Sequence, residues 1–125
     1  MTALRDQWGR SIEYLAATDE AIWFDFRAIC DGPRSQSDYV EIARDYHTVA
    51  VSDVPRLDAN RENEARRFIA LVDEFYDRGV KLLVSAHASP VELYAGERLG
   101  FEFARTQSRL AEMQTKEYLA RPHKP

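Results

Sequence analysis

The chain has 125 residues, of which 45% are hydrophobic and 11% aromatic, and its formal net charge is −4. That length supports one modest domain able to bury roughly two thirds of its unfolded surface, and the composition excludes a disordered polymer. The acidic balance argues against a sequence-independent grip on nucleic acid, and no apolar run approaches the ~18 residues of a membrane span.

The opening MTALRDQWGR has no apolar core of the kind a secretion signal needs. Residues 3–8 are compatible with a helical turn, and RSIEYL alternates polar and apolar residues as a half-buried strand does. AIWFDF, residues 21–26, is a second strand candidate, followed by a short helical turn at RAIC and the breaker pair Gly32-Pro33. The single cysteine, Cys30, excludes an intramolecular disulfide, as expected in a reducing cytosol, and reads as a small buried hydrophobe. Ser35 or Ser37 caps a helix running to about Tyr46, with the apolar stripe Tyr39, Ile42, Ala43 and Tyr46.

HTVAV, residues 47–51, is a β-branched strand, and SDVPRLDANREN reads as a polar loop in which Pro55 bars a helix. The strongest periodicity follows. Ala65, Phe68, Ile69, Val72, Phe75 and Tyr76 make one wide helical face, opposed by Arg66, Arg67, Asp73, Glu74 and Asp77, with Gly79 at the stop position. The near-continuous apolar run Val80 to Ala86 predicts a strand buried on both faces. A last helix is predicted from about Phe101 to Leu119, with the stripe Phe103, Thr106, Leu110 and Met113, and the tail ARPHKP is expected to fray. Strands alternating with helical connections imply an α/β class: parallel strand–helix–strand units with a C-terminal helix, in a single domain over residues 1–125.

No complete active site is legible. None of the five glycines has the GxxxxGK[ST] or GxGxxG spacing, so no loop offers the wrapped N–H groups and lysine that hold phosphates. His47, His87 and His123 lie far apart, without HxxxH or CxxC, and no GxSxG elbow supports a serine nucleophile at Ser85. HTVAVSDVPRL resembles the strand on which nucleoside triphosphatases carry a metal-linked acid. Here Asp53 is followed by Val54, so the second acid is missing. Ser85, at the end of the next strand, occupies a sensor-like place; the plain alternative is a βαβ unit with an ordinary polar exit loop.

Arginines form the other constellation. Arg105 and Arg109 share a helix face, each three residues from a glutamate, and Arg66 and Arg67 are adjacent. Each pair reads either as a solvated ion-pair surface or as a phosphate or subunit-interface contact, to which the planar guanidinium is suited. Asp73 and Glu74 sit within a helical pattern and are assigned to the helix surface or to ion pairs.

PRSQSDYVEIA, YHTVAVSDV, NEARRFIALVDEFYDRGVKLLVSA and FEFARTQSRLAEMQTKEYL resemble the C-terminal part of the cell-division protein ZapE family, over about residues 9–125. These are AAA+-type P-loop ATPases of bacteria, with mitochondrial relatives. The resemblance implies a partial AAA+-like architecture that follows the Walker A loop, the Walker B acids and the main sensor strand. It implies ATP and Mg²⁺ as cofactors of the intact protein, a ring-like oligomer, and contact with the FtsZ ring on the cytoplasmic face of the inner membrane. Arg66 and Arg67 match the family's ARRFI string, and Ser108 and Arg109 its SRL string, with Arg105 four residues earlier. The implied function is that of the C-terminal portion of such an ATPase, inactive alone and completed by the remaining ATPase domain or neighbouring subunits. A non-catalytic module binding a division protein or an intact ATPase subunit is the alternative, and a small hydrolase built on Ser85 or Cys30 a third reading.

Overall fold

A computed structural model describes residues 2–5 by their backbone and residues 11–125 in full. Three strands, β4 (Ala21–Asp25), β5 (Thr48–Val54) and β7 (Lys81–Ala86), form a parallel ladder in the order β4-β5-β7. The short β3 (Ala16–Ala17) adds an antiparallel edge beside β4. Outside this sheet, β1 (Thr2–Arg5) pairs antiparallel with β2 (Ser11–Tyr14), and β6 (Leu57–Asp58) pairs parallel with β8 (Tyr94–Ala95).

Parallel neighbours need a crossover, and the helices supply it. α1 (Phe26–Cys30) and α2 (Gln36–Asp45) join β4 to β5, and α3 (Glu62–Asp77) joins β5 to β7. Ser35 caps α2 in a reciprocal box: the Asp38 carboxylate accepts the Ser35 N–H at 2.9 Å. After β7 come α4 (Pro90–Leu93), α5 (Gly100–Glu112) and α6 (Lys116–Leu119). Helices α2 and α5 both pack on α3. Ile22, Phe24, Val49 and Val51 point from the sheet into that helical layer and are buried. Phe68 of α3 sits at the centre, with its ring centroid 6.2 Å from Phe26 and 6.3 Å from Phe103. The predicted stripe of α3 is buried except at Tyr76, which is half-exposed, and Leu71 widens the buried face. All four residues of the predicted α5 stripe are buried.

The structure departs from the sequence expectations in five places. Residues 2–5 form a strand rather than a helical turn, because they pair with β2; residues 6–8 of that expectation lie outside the described residues. The predicted loop from Ser52 is partly strand. β5 continues to Val54 through an irregularity in its pairing with β7, and Val54 and Leu57 are buried. The last helix is broken after Glu112. Thr115 ends one segment, donating to the Glu112 carbonyl at 2.7 Å, and starts the next, accepting the Tyr118 N–H at 3.2 Å. The tail is tied down: the Lys124 N–H donates to the Arg78 carbonyl at 2.8 Å, and His123 Nε2 bonds the Ala43 carbonyl. Gly79, at φ 70°, lies under this tail, and a Cβ there would come within 2.6 Å of the Pro122 oxygen.

The fifth departure concerns β7. Its apolar run predicts burial on both faces, yet Leu83 is 58% exposed and Val84 37%. β7 is the outer strand of the ladder: among the described residues no layer covers Leu83 on the face opposite the helices, and Val84, which shares the face of Val51, is left open at the sheet edge.

Candidate functional site

In open α/β sheets, ligands gather outside the carboxyl ends of the parallel strands. Here β4 ends at Asp25, β5 turns at Asp53, and β7 runs through Ser85 and ends at Ala86, just before His87. Asp25, Arg27, Asp53, Pro55, Arg61 and His87 line an open cavity of about 370 Å³ along this edge. Asp53 is the only non-glycine residue among those described with a positive φ, 61°. Aspartate tolerates that left-handed turn better than most side chains. The turn aims its N–H at Ser85, whose Oγ accepts it at 2.9 Å. The sensor-like serine thus locks the exit of β5 to the exit of β7. His87 continues the same junction: its N–H donates to the Val54 carbonyl at 2.9 Å, and its Nε2 lies 3.9 Å from Asp53 Oδ1.

Some of the charges on this edge are spent on the fold, whereas Arg27, Asp53 and His87 stay mostly exposed. Asp25 caps α1, its Oδ1 accepting the Arg27 N–H at 3.0 Å. Arg61 donates to Glu64 at 3.0 Å. Glu62, in the first turn of α3, accepts the Tyr94 hydroxyl at 2.6 Å and the Arg98 N–H at 3.0 Å. That clamp requires Gly96, where a Cβ would lie 2.0 Å from Glu62 Oε1.

The starts of α1, α3 and α5 offer a phosphate no free N-terminus. Phosphates seek a free, positive helix N-terminus. The first turn of α3 holds Glu62 and Glu64, that of α5 holds Glu102, and the start of α1 is filled by Asp25. Among the described residues no group of three or more His, Cys, Asp or Glu side chains is arranged to hold a metal ion.

The arginines lie elsewhere. α5 runs beside α3 in the same direction, since Phe103 meets Phe68, Arg105 and Arg109 meet Asp73, and Glu112 meets Tyr76. Both predicted arginines converge on one carboxylate. Arg105 reaches Asp73 Oδ2 at 3.2 Å with its side chain 60% exposed, whereas Arg109 pairs with Asp73 Oδ1 with only 24% exposed. The Arg109 guanidinium also lies 4.9 Å from the centre of the Tyr76 ring, whose hydroxyl donates to Glu112 at 2.6 Å. The Glu112 carboxylate raises the Tyr76 pKa through that bond. Arg67 is half-buried and donates to the Cys30 carbonyl at 3.3 Å, while Arg66 is exposed on α3. Asp73 and Glu74 serve in ion pairs, Glu74 with Arg78 at 2.7 Å. Cys30 is fully buried, and burial pushes its thiol up to about 12, away from any thiolate chemistry at neutral pH.

The structure therefore brings Asp53 and Ser85 together and Arg105 and Arg109 together, in two separate places. Sequence reasoning passed over Asp25, Arg27 and Arg61. Their signal was positional: each stands just beyond a strand end or at a helix start on the carboxyl edge.

Comparison with known proteins places this arrangement in context. The AFG1-like ATPase family model matches residues 4–122. The cell division protein ZapE of Escherichia coli (strain K12) is 49% identical over 114 residues, which are 91% of this chain and 30% of that protein. Lactation elevated protein 1 homolog B of Danio rerio is 32% identical over 125 aligned positions, covering 74% of this chain and 25% of that one. An uncharacterised protein of Schizosaccharomyces pombe is 36% identical over 87 residues, 70% of this chain and 19% of its own length. The chain thus spans less than a third of the curated relatives it matches. No solved structure matches it.

Proposed function

The chain belongs to the AFG1-like ATPase family, and from that premise we propose that it acts as the C-terminal α/β portion of a ZapE-like ATPase. In this reading ATP and Mg²⁺ are held by the part of the family polypeptide that this stretch does not match. The present residues pack against that part or against a neighbouring subunit in the cytoplasm, at the division site on the inner membrane face. The observation that carries the reading is the family match over residues 4–122, in a chain without a phosphate-wrapping loop. Its helix N-termini on the carboxyl edge, filled by its own carboxylates, agree with that division of labour. No helix among the described residues is long and apolar enough to cross a membrane.

Two arginines suit an assisting role toward a phosphate on another segment. Arg66 and Arg105 have exposed guanidinium groups, whereas Arg109 is committed to Asp73 and Tyr76. An arginine delivered in this way is worth roughly 10³–10⁵ in rate. The test places this chain's sequence in the E. coli relative, in place of its matching stretch, and measures ATP turnover. Arg66→Ala or Arg105→Ala should lower kcat by orders of magnitude with little change in thermal stability. Unchanged turnover in both variants would remove these arginines from catalysis. Calorimetry of the 125-residue chain with Mg²⁺-ATP should give no tight binding, and tight binding would overturn the reading. The alternative, a non-catalytic module that binds FtsZ or an intact ATPase subunit, draws on the half-bare sheet and would be favoured by capture of either protein without effect on turnover.

A further inference from the structure

The four-stranded sheet has two edges, and only one of them is guarded. β3 closes the first with 2 residues, Ala16–Ala17, too short to recruit a neighbour. β7 forms the other with 6, Lys81–Ala86, and among the described residues no strand pairs with its outer side. The Lys81 N–H donates to the His47 carbonyl at 2.8 Å, and the His87 N–H to the Val54 carbonyl at 2.9 Å. Main-chain groups alternate sides along a strand, so Leu82, Val84 and Ala86 turn theirs away from β5. Natural edges are blunted by charge or proline. The stretch from Leu82 to Ala86 has neither.

The side chains of the same residues are apolar, and those of Leu82 and Val84 lie on the face of Val49 and Val51. Beside them runs an open groove of about 470 Å³, lined by Leu82, Val84, Ala86, Leu93, Leu110 and Met113. A helix uses its N–H and C=O groups internally and would leave this edge unpaired. An extended chain satisfies edge and groove together. A second β7 is such a chain. Set antiparallel about Val84, it places Leu82 opposite Ala86, a large side chain against a small one, and Val84 opposite Val84. The two Lys81 side chains fall at opposite ends of the seam, so those charges do not meet. The edge is thus complementary to itself, as a two-fold interface requires.

We propose that β7 is a self-recognition edge. Two copies of this chain pair their β7 strands antiparallel about a two-fold axis at Val84, and each copy's apolar side chains close the other's groove. The two sheets become one. The seam uses neither the carboxyl edge nor the arginines, so it goes beyond the ATPase reading and is tested without ATP turnover.

Sedimentation equilibrium of the 125-residue chain, joined to residue-resolved amide exchange, tests this. As concentration rises the mass should double, and exchange of the outward Leu82, Val84 and Ala86 N–H groups should slow by about tenfold or more. The Leu83 N–H, turned toward β5, should be slow at every concentration and supplies the reference. Val84→Pro removes an outward donor without cutting the β5 ladder, and Val84→Lys sets like charges at the axis. Either variant should stay folded by circular dichroism and monomeric where the wild-type chain is paired. If Val84→Pro does not fold, Val84→Lys decides. A wild-type chain that remains monomeric to millimolar concentration would overturn the proposal. So would a doubled mass with these N–H groups still exchanging fast, or a dimer that survives Val84→Lys. In the E. coli relative, protection of the aligned N–H groups that does not change with concentration would assign the edge to another segment of that polypeptide, and would overturn it too.

Discussion

The two faces of the parallel sheet are built from the same strands and have opposite fates. Toward the helices, Ile22, Val49 and Val51 are at most 2% exposed, and Phe24 is fully buried. One residue along, on the other side of the pleat, Trp23 and Leu83 stand in water. Alternation along a strand sends neighbours to opposite faces, so the difference lies in what covers each face rather than in the strands. The covered face carries the fold. The bare face and the carboxyl edge, where Asp53 and Ser85 are joined, are left to solvent.

The sharpest way to break this contrast is to hollow out the covered side. Phe68 touches Phe26 and Phe103 and is fully buried. Phe68→Ala removes the ring and leaves a cavity, costing about 3–5 kcal/mol. Urea unfolding of the isolated chain measures it. A loss below about 1 kcal/mol would mean that the helical layer is not the core of this unit.

That core was legible because α3 and α5 have clean 3.6-residue periodicity, which tertiary contacts reinforce. The parallel order followed from the alternation of strands and long helical connections. The misreadings share a cause: each depended on contacts remote in sequence. Residues 2–5 become strand because β2 lies beside them, the tail is held because Arg78 and Ala43 offer carbonyls to it, and Val54 and Leu57 belong to strands because Ala86 and Tyr94 come back to pair with them. β7 illustrates the reverse. Its apolar run predicts burial on two faces, yet no residue from Lys81 to Ala86 is buried. At the site, Ser85 was visible as a strand exit, but its bond to Asp53 depends on a left-handed turn that sequence spacing does not encode. The convergence of Arg105 and Arg109 on Asp73 required knowing that α5 runs alongside α3.

A second probe uses the dryness of the covered side. Burial pushes the Cys30 thiol from 9.0 up to about 12. The folded chain therefore keeps a proton that the unfolded chain gives up. The associated stability is fully present below 9.0 and is lost as pH rises toward about 12. At a pH 1.5 units above the unfolded value, the loss from this thiol is on the order of 2 kcal/mol. Tyr118, pushed up to about 12 by burial, and Tyr39, raised by burial, add to the decline from their ordinary value of 10.0. Comparing the wild-type chain with Cys30→Ala isolates the thiol. The stability difference between the two should shrink by that amount between neutral pH and a pH 1.5 units above the unfolded thiol's 9.0. A constant difference would mean that Cys30 titrates as freely as a thiol in water, and that the helical side is wetter than its packing implies.

The smallest expected effect is the most informative about the bare face. Leu83→Thr swaps an exposed apolar group for a polar, β-branched one that suits a strand. In the isolated chain its effect should stay within about 0.5 kcal/mol. The matched control is Val51→Thr, on the covered face of the adjoining strand, where Val51 is 1% exposed. There a hydroxyl enters a dry layer at a cost of about 1–3 kcal/mol. Denaturant midpoints of the two variants turn the geometric contrast into an energetic one. Equal losses would show that Leu83 is already packed as Val51 is.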